Sequence, residues 1–169
     1  IFGCVDNDAP RLILNELAKA YAIPYIDLAV GINVEKRQIP EIGGRVAVVL
    51  PDGPCLLCMK QLDIEEARHF LASPSEQAFQ RARGYVSGLD APAPSVVSLN
   101  GIIASCAVNE FLMLCTGQRA VNVSTDYDLL GSIRPIQGQW MTPVRTQPRS
   151  GCVDCAYQWV GDRVGLERF

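Results

Sequence analysis

Four cysteines in this chain are spaced for metal chemistry. Cys55-Leu56-Leu57-Cys58 and Cys152-Val153-Asp154-Cys155 are each a C-x-x-C pair. Two intervening residues let both sulfurs of a pair turn toward one point, so two such pairs can close a tetrahedral S4 site. Structural zinc is the leading reading. Two local disulfides, a redox-active C-x-x-C or coincidence are the alternatives, and an S4 site also suits iron, as in rubredoxin-type electron carriers. Zinc fingers and ribbons separate their pairs by about 12 to 20 residues, whereas here most of the chain lies between them. The metal would then tie the tail of the chain back to its middle rather than nucleate a small finger. A second feature is Asp6, placed after the apolar run Ile1 to Val5 and before a helix. In open parallel sheets ligands bind at the carboxyl ends of strands, and a carboxylate there can hold Mg2+ on a nucleotide phosphate while the helix end favours the anion. The alternative for Asp6 is a helix-capping or turn aspartate.

The elements that must position these groups read as one α/β domain covering 1–169. With 49% hydrophobic and 20% charged residues the chain has enough apolar material for a core and is not a disordered polymer. Ile1 to Val5 has the character of a buried parallel strand. Asp6-Asn7-Asp8 supplies turn and cap chemistry, and Pro10 suits a first helical turn. Ile13, Leu17, Ala20 and Tyr21 fall on one face of a helix ending near Ala22. Pro24 ends it, and Tyr25 to Val30 reads as the returning strand, so the start is a strand-helix-strand unit with parallel strands. Gly43-Gly44 reads as a turn, Arg45 to Leu50 as a strand, and Pro51-Asp52-Gly53-Pro54 as a turn that delivers the first cysteine pair. Asp63 to Leu71 and Ser75 to Arg83 read as short exposed helices, with His69 a surface residue without a role. Gly88 to Pro94 reads as a flexible crossover. Val96 to Leu114, apolar nearly all round, reads as a central buried helix stopped by Gly117. Arg119 to Val123 and Ser132 to Ile136 follow as mixed or antiparallel strands around an Asp126 to Gly131 turn.

Composition narrows the partners. A net charge of -3 and a pI near 5.1, with no Lys/Arg cluster, exclude an electrostatic case for nucleic acid. Seven cysteines are an odd number, and no secretory leader precedes them, which favours a reducing, cytosolic compartment over a disulfide framework. The apolar run Ser95 to Gly117 carries Asn100, Asn109 and Glu110, costly in lipid, so a core helix is expected and not a membrane span. Because Ile1 opens in the middle of a strand pattern, a preceding segment is expected.

Taken together, Cys4-Val5-Asp6-Asn7, Arg11, Asn15, Ile23-Pro24, Pro54-Cys55-x-x-Cys58 and Cys152-x-x-Cys155 resemble the ThiF/MoeB/HesA family, bacterial relatives of ubiquitin-activating enzymes. Gly101 to Gly117, with Asn109-Glu110, is similar to that family's helix after its crossover loop. The resemblance runs along nearly the whole chain but covers only the C-terminal part of the family's Rossmann-like adenylation domain. It implies an ATP-dependent adenylyltransferase that activates the C-terminal glycine of a ubiquitin-like or sulfur-carrier protein with a Gly-Gly tail. Asp6 would bind Mg2+ and orient the α-phosphate, Asn7 would line the nucleotide site, and the four cysteines would hold structural zinc. Arg11 and Asn15 would support the site, and the protein would be a homodimer. The family's Gly-rich phosphate loop and its phosphate-binding Arg and Lys have no counterpart here, so the chain alone is expected to be an incomplete, inactive fragment. No cysteine lies in Arg83 to Leu99, so adenylation without a covalent thioester step is expected. Cys4, Cys106 and Cys115 are expected to be inert core thiols.

Overall fold

The computed structural model describes residues 1–36, 38–82, 96–131, 140–157 and 159–163. The crossover at 88–94, Asp90 and the strand expected at 132–136 lie outside the described residues. A five-stranded mixed sheet runs in the order β1 (Phe2–Gly3), β2 (Tyr25–Glu35), β3 (Gln38–Val49), β4 (Ser124–Asp128), β5 (Trp140–Val144). β1 and β2 are parallel, joined by α1 (Asp8–Ala20), and every later pairing is antiparallel. Alternation along β2 and β3 sends side chains to two faces. Tyr25, Ala47 and Val49 pack with Ala18 of α1 and Leu56 and Met59 of α2 (Leu56–Met59). Ile26, Val46 and Val48 pack on the other face with Leu99, Ile103 and Ala107 of α5 (Val97–Thr116) and with Tyr127. The sheet is therefore a middle layer, with α3 (Ile64–Leu71) beside α1 and α4 (Pro74–Ala82) following it in the chain.

Three expectations are corrected here. Gly43-Gly44 is not a turn: both residues sit inside β3, and the chain reverses instead at Lys36, whose φ of 47° is left-handed. The glycines serve close approach. A Cβ on Gly43 would lie 2.5 Å from the Tyr127 carbonyl oxygen, and one on Gly44 would lie 2.7 Å from Ile103. Residues 119–123 are not a strand, and β4 occupies Ser124–Asp128, where the turn was expected. The cause is Glu110. Its buried carboxylate accepts from Arg119 Nη1 (3.0 Å) and Nη2 (2.6 Å), from the Asn122 backbone N–H (2.9 Å) and from Asn122 Nδ2 (3.1 Å), which holds 119–122 against α5 and starts the strand later. His69 is buried rather than on the surface, 2% exposed, with its ring edge-on to Phe70.

The two longer helices also differ from their sequence pattern. Of the expected apolar stripe on α1, Ile13, Leu17 and Tyr21 are exposed and Ala20 is buried, while the polar residues Arg11, Asn15 and Lys19 are buried. On α5 the buried residues are Leu99, Ile103, Ala107 and Glu110, on one face, while Val108, Phe111 and Leu112 are exposed. Phe111 meets Phe2 of β1 edge-on, with centroids 5.5 Å apart. By length and composition α5 could cross a membrane, yet it lies on the sheet and carries the clamped Glu110. Gly117 stops it as expected, with φ 65° and its N–H donated to the Met113 carbonyl at 2.9 Å. Cys4 and Cys115 are exposed and so are not core residues, whereas Cys106 is half-buried against the core.

Glu110 carries a pH prediction. Burial raises its pKa, but the Arg119 and Asn122 hydrogen bonds outweigh burial and hold it below the usual range. A depressed folded pKa contributes stability above the unfolded value, near 4.3, that is lost as pH falls through the folded one. Glu110→Gln should therefore destabilise the protein at pH 7, by about 1 kcal/mol given that Arg119 stays partly solvated. The difference should narrow as pH falls, as thermal melts at pH 7 and pH 3 would show.

Candidate functional site

The first cysteine pair is placed by a buried lysine. Lys19 of α1 donates to the carbonyls of Leu50 (3.3 Å), Pro51 (2.5 Å) and Gly53 (3.0 Å), closing the Pro51 to Pro54 turn that leads out of β3. Cys55 then precedes α2 and Cys58 lies within it, with Lys60 in a left-handed conformation ending the turn. The second pair returns 97 residues later, Cys155 opening a short 3-10 turn to Tyr157. All four sulfurs lie within 4.8 Å of one another. Cys55–Cys152 are 3.5 Å apart, Cys58–Cys155 3.7 Å and Cys55–Cys58 3.8 Å. Four sulfurs about 2.3 Å from a tetrahedral zinc would stand about 3.8 Å apart. The donor set fits that ion, and these four residues would hold it.

The surroundings suit a thiolate cluster. The Arg149 backbone N–H reaches Cys58 Sγ at 3.2 Å, and its guanidinium donates to the Leu57 carbonyl at 2.8 Å. Burial works against the Cys58 thiolate, but the Arg149 N–H and the neighbouring sulfurs bring its pKa down to about 7. Burial pushes Cys155 up to about 11 and Cys55 well above its usual value. A metal ion overrides this ordering, since a coordinating thiol is deprotonated outright. Metal uptake must release protons, so affinity rises with pH through the thiol range. Titration with Co2+ should give one ion per chain with intense thiolate-to-metal absorption, and Cys152→Ser should abolish it and loosen the fold.

Asp6 sits beyond the end of β1, exposed, at a cavity of about 590 Å3. Its lining includes Cys4, Asp8, Arg11, Glu66, Asn100 and Leu28. The helix cap is not Asp6 but Asn7, whose side-chain oxygen accepts the Ala9 N–H at 3.1 Å while its amide donates to Asp6. Asn7 therefore holds the helix start and touches the cavity through Asp6. Among the described residues, Asp6, Asp8 and Glu66 face the cavity against one cation, Arg11, a balance that favours a ligand bringing positive charge. Burial, and then the proximity of Asp8, raise the pKa of Glu66.

Behind the cavity is a network that sequence reasoning missed. Asp27, fully buried in β2, accepts from Arg11 Nε at 3.0 Å, Tyr25 Oη at 2.7 Å and Arg45 Nη1 at 3.0 Å. Arg11 also bonds Asp8 and donates to the Val5 carbonyl at 3.0 Å, fixing the strand end that carries Asp6. Arg45 reaches the Gln61 carbonyl at 2.6 Å, and Asp8 accepts the Asp63 N–H at 2.5 Å. Burial, then the Asp27 carboxylate, push the Tyr25 phenol far above its ordinary pKa. The signal available in the sequence was a carboxylate inside the apolar strand Tyr25 to Val30, which must find partners if that strand is buried. The cysteine cluster and the Asp6 cavity are served by different parts of α1 and share no lining residue among those described.

Compared with models of known protein families and with curated proteins, the chain matches none. What the chain does is therefore read from its own residues.

Proposed function

We propose that the protein is an ATP-dependent adenylyltransferase acting on the C-terminal glycine of a ubiquitin-like or sulfur-carrier protein. The carrier-protein substrate comes from the resemblance to the ThiF/MoeB/HesA family, and the observation that supports a nucleotide here is Asp6. It lies beyond the carboxyl end of a parallel strand, at a helix N-terminus, on a cavity of about 590 Å3, and it is left free of capping duty by Asn7. That is where a Rossmann-like sheet receives a phosphate ligand. The excess of acids around the cavity suits a Mg2+-bound nucleotide better than a bare anion.

In this reading Asp6 would hold the Mg2+, and the ion would neutralise charge on the phosphates. Arg11 keeps the strand end in place, and Asn7 caps the helix start while its amide orients Asp6. The carboxylate oxygen of the carrier's terminal glycine attacks the α-phosphorus, the bond to the bridging oxygen breaks, and pyrophosphate leaves with its electron pair. The cysteine cluster, sharing no residue with the cavity, would act as a structural zinc site holding the tail to the β3 loop.

The test is pyrophosphate exchange into ATP by the full-length protein with a Gly-Gly-tailed ubiquitin-fold partner. Asp6→Ala should lower exchange by about a hundredfold or more. Absence of exchange, with Asp6→Ala indistinguishable from the parent, overturns the reading. One observation favours a second reading, a zinc-stapled interaction or dimerisation module without catalysis: Phe2, Val108, Phe111 and Leu112 form an exposed apolar flank. Partner binding without nucleotide turnover would decide for it. A ferric-thiolate colour would instead favour a rubredoxin-type iron site.

A further inference from the structure

Asn15 is fully buried in the middle of α1 and has partners in both halves of the cysteine cluster. Its side-chain oxygen accepts the Leu56 N–H at 2.9 Å, and Leu56 lies between Cys55 and Cys58. Its amide nitrogen donates to the carboxylate of Asp154, which lies between Cys152 and Cys155 and is 1% exposed. The two partners are 41 and 139 residues away along the chain. One planar amide thus sets the orientation of the residue that follows Cys55 and of the residue that precedes Cys155. The C-x-x-C spacing brings the sulfurs of each pair together, but nothing in it fixes one pair relative to the other.

We propose that Asn15 is a positioning residue for the metal centre: it locks the two cysteine pairs into one four-sulfur site through Leu56 and Asp154. Groups that orient metal ligands from outside the coordination sphere typically change affinity by about 10- to 100-fold when removed. The amide suits both partners, with one acceptor for an N–H and one donor for a carboxylate. A carboxylate or an apolar side chain at this position cannot serve both.

The inference rests on the metal reading of the cysteines and is independent of the adenylation proposal. Its test is cobalt binding by the whole chain, read from the visible spectrum and from competition with a chromophoric chelator. Asn15→Ala should weaken cobalt binding by about tenfold or more. Asn15→Asp, which sets two carboxylates face to face, should weaken it further. The exchanged pair, Asn15→Asp with Asp154→Asn, restores one carboxylate and one amide and should recover most of the affinity and the tetrahedral thiolate spectrum. If a single variant fails to fold, cobalt uptake by the exchanged pair decides. A parent that binds no cobalt overturns both the metal reading and the role of Asn15. A parent and Asn15→Ala that bind equally, or an exchanged pair no better than Asn15→Asp alone, overturns the role of Asn15 only.

Discussion

A buried polar row on α1 holds the rest of this molecule in place. Arg11, Asn15 and Lys19 recur every fourth residue, so they stack along one side of the helix. Each reaches a different part of the chain: Arg11 the end of β1 and Asp27 of β2, Asn15 both cysteine loops, Lys19 three carbonyls of the turn leaving β3. Burying an amide and two cations is costly unless every donor finds an acceptor. Here they find them in loop backbone and in three carboxylates, Asp8, Asp27 and Asp154. The same row therefore supplies partners to segments that lack regular secondary structure of their own.

The charge cluster around Asp27 has a related logic. Two carboxylates, Asp8 and Asp27, interleave with two guanidiniums, Arg11 and Arg45, and the pairs are close to fully desolvated. Replacing such a cluster with apolar side chains is often neutral or stabilising, so its presence is weak ground for a stability role. What it does achieve is geometry. Planar guanidiniums bond in fixed directions, and Arg11 uses one of those directions to pin the Val5 carbonyl immediately before Asp6. The position of the exposed carboxylate is thus set by groups that are themselves largely buried.

How much of this could be read from sequence depended on the range of the interaction responsible. The parallel strand-helix-strand start was legible because Pro24 and the apolar runs act locally. The convergence of Cys55, Cys58, Cys152 and Cys155 was legible because C-x-x-C spacing has a geometric meaning of its own. Strand register after Gly117 was not, since it is decided by Glu110 gripping Arg119 and Asn122, and residue types alone do not announce that clamp. Gly43-Gly44 misled for a different reason: glycine marks either a reversal or a close approach, and only the nearness of Tyr127 and Ile103 tells which. The apolar stripe of α1 was found, but its outward direction was not. Periodicity identifies a face without saying what lies opposite, and here the inner face combines hydrogen-bonded polar side chains with buried Leu12 and Ala18.

The wide separation of the cysteine pairs also bears on how the protein is made. During synthesis at about 5 to 20 residues per second, Cys55 and Cys58 would wait on the order of 5 to 20 seconds for the partners 97 residues behind them. Through that interval the nascent chain carries a half-built thiol site beside a turn that Lys19 can already close. Until Cys152 and Cys155 emerge, the early pair is open to any thiol or metal ion in its surroundings. The order of the chain thus makes a segment translated well after the first cysteine pair the one that seals that part of the fold.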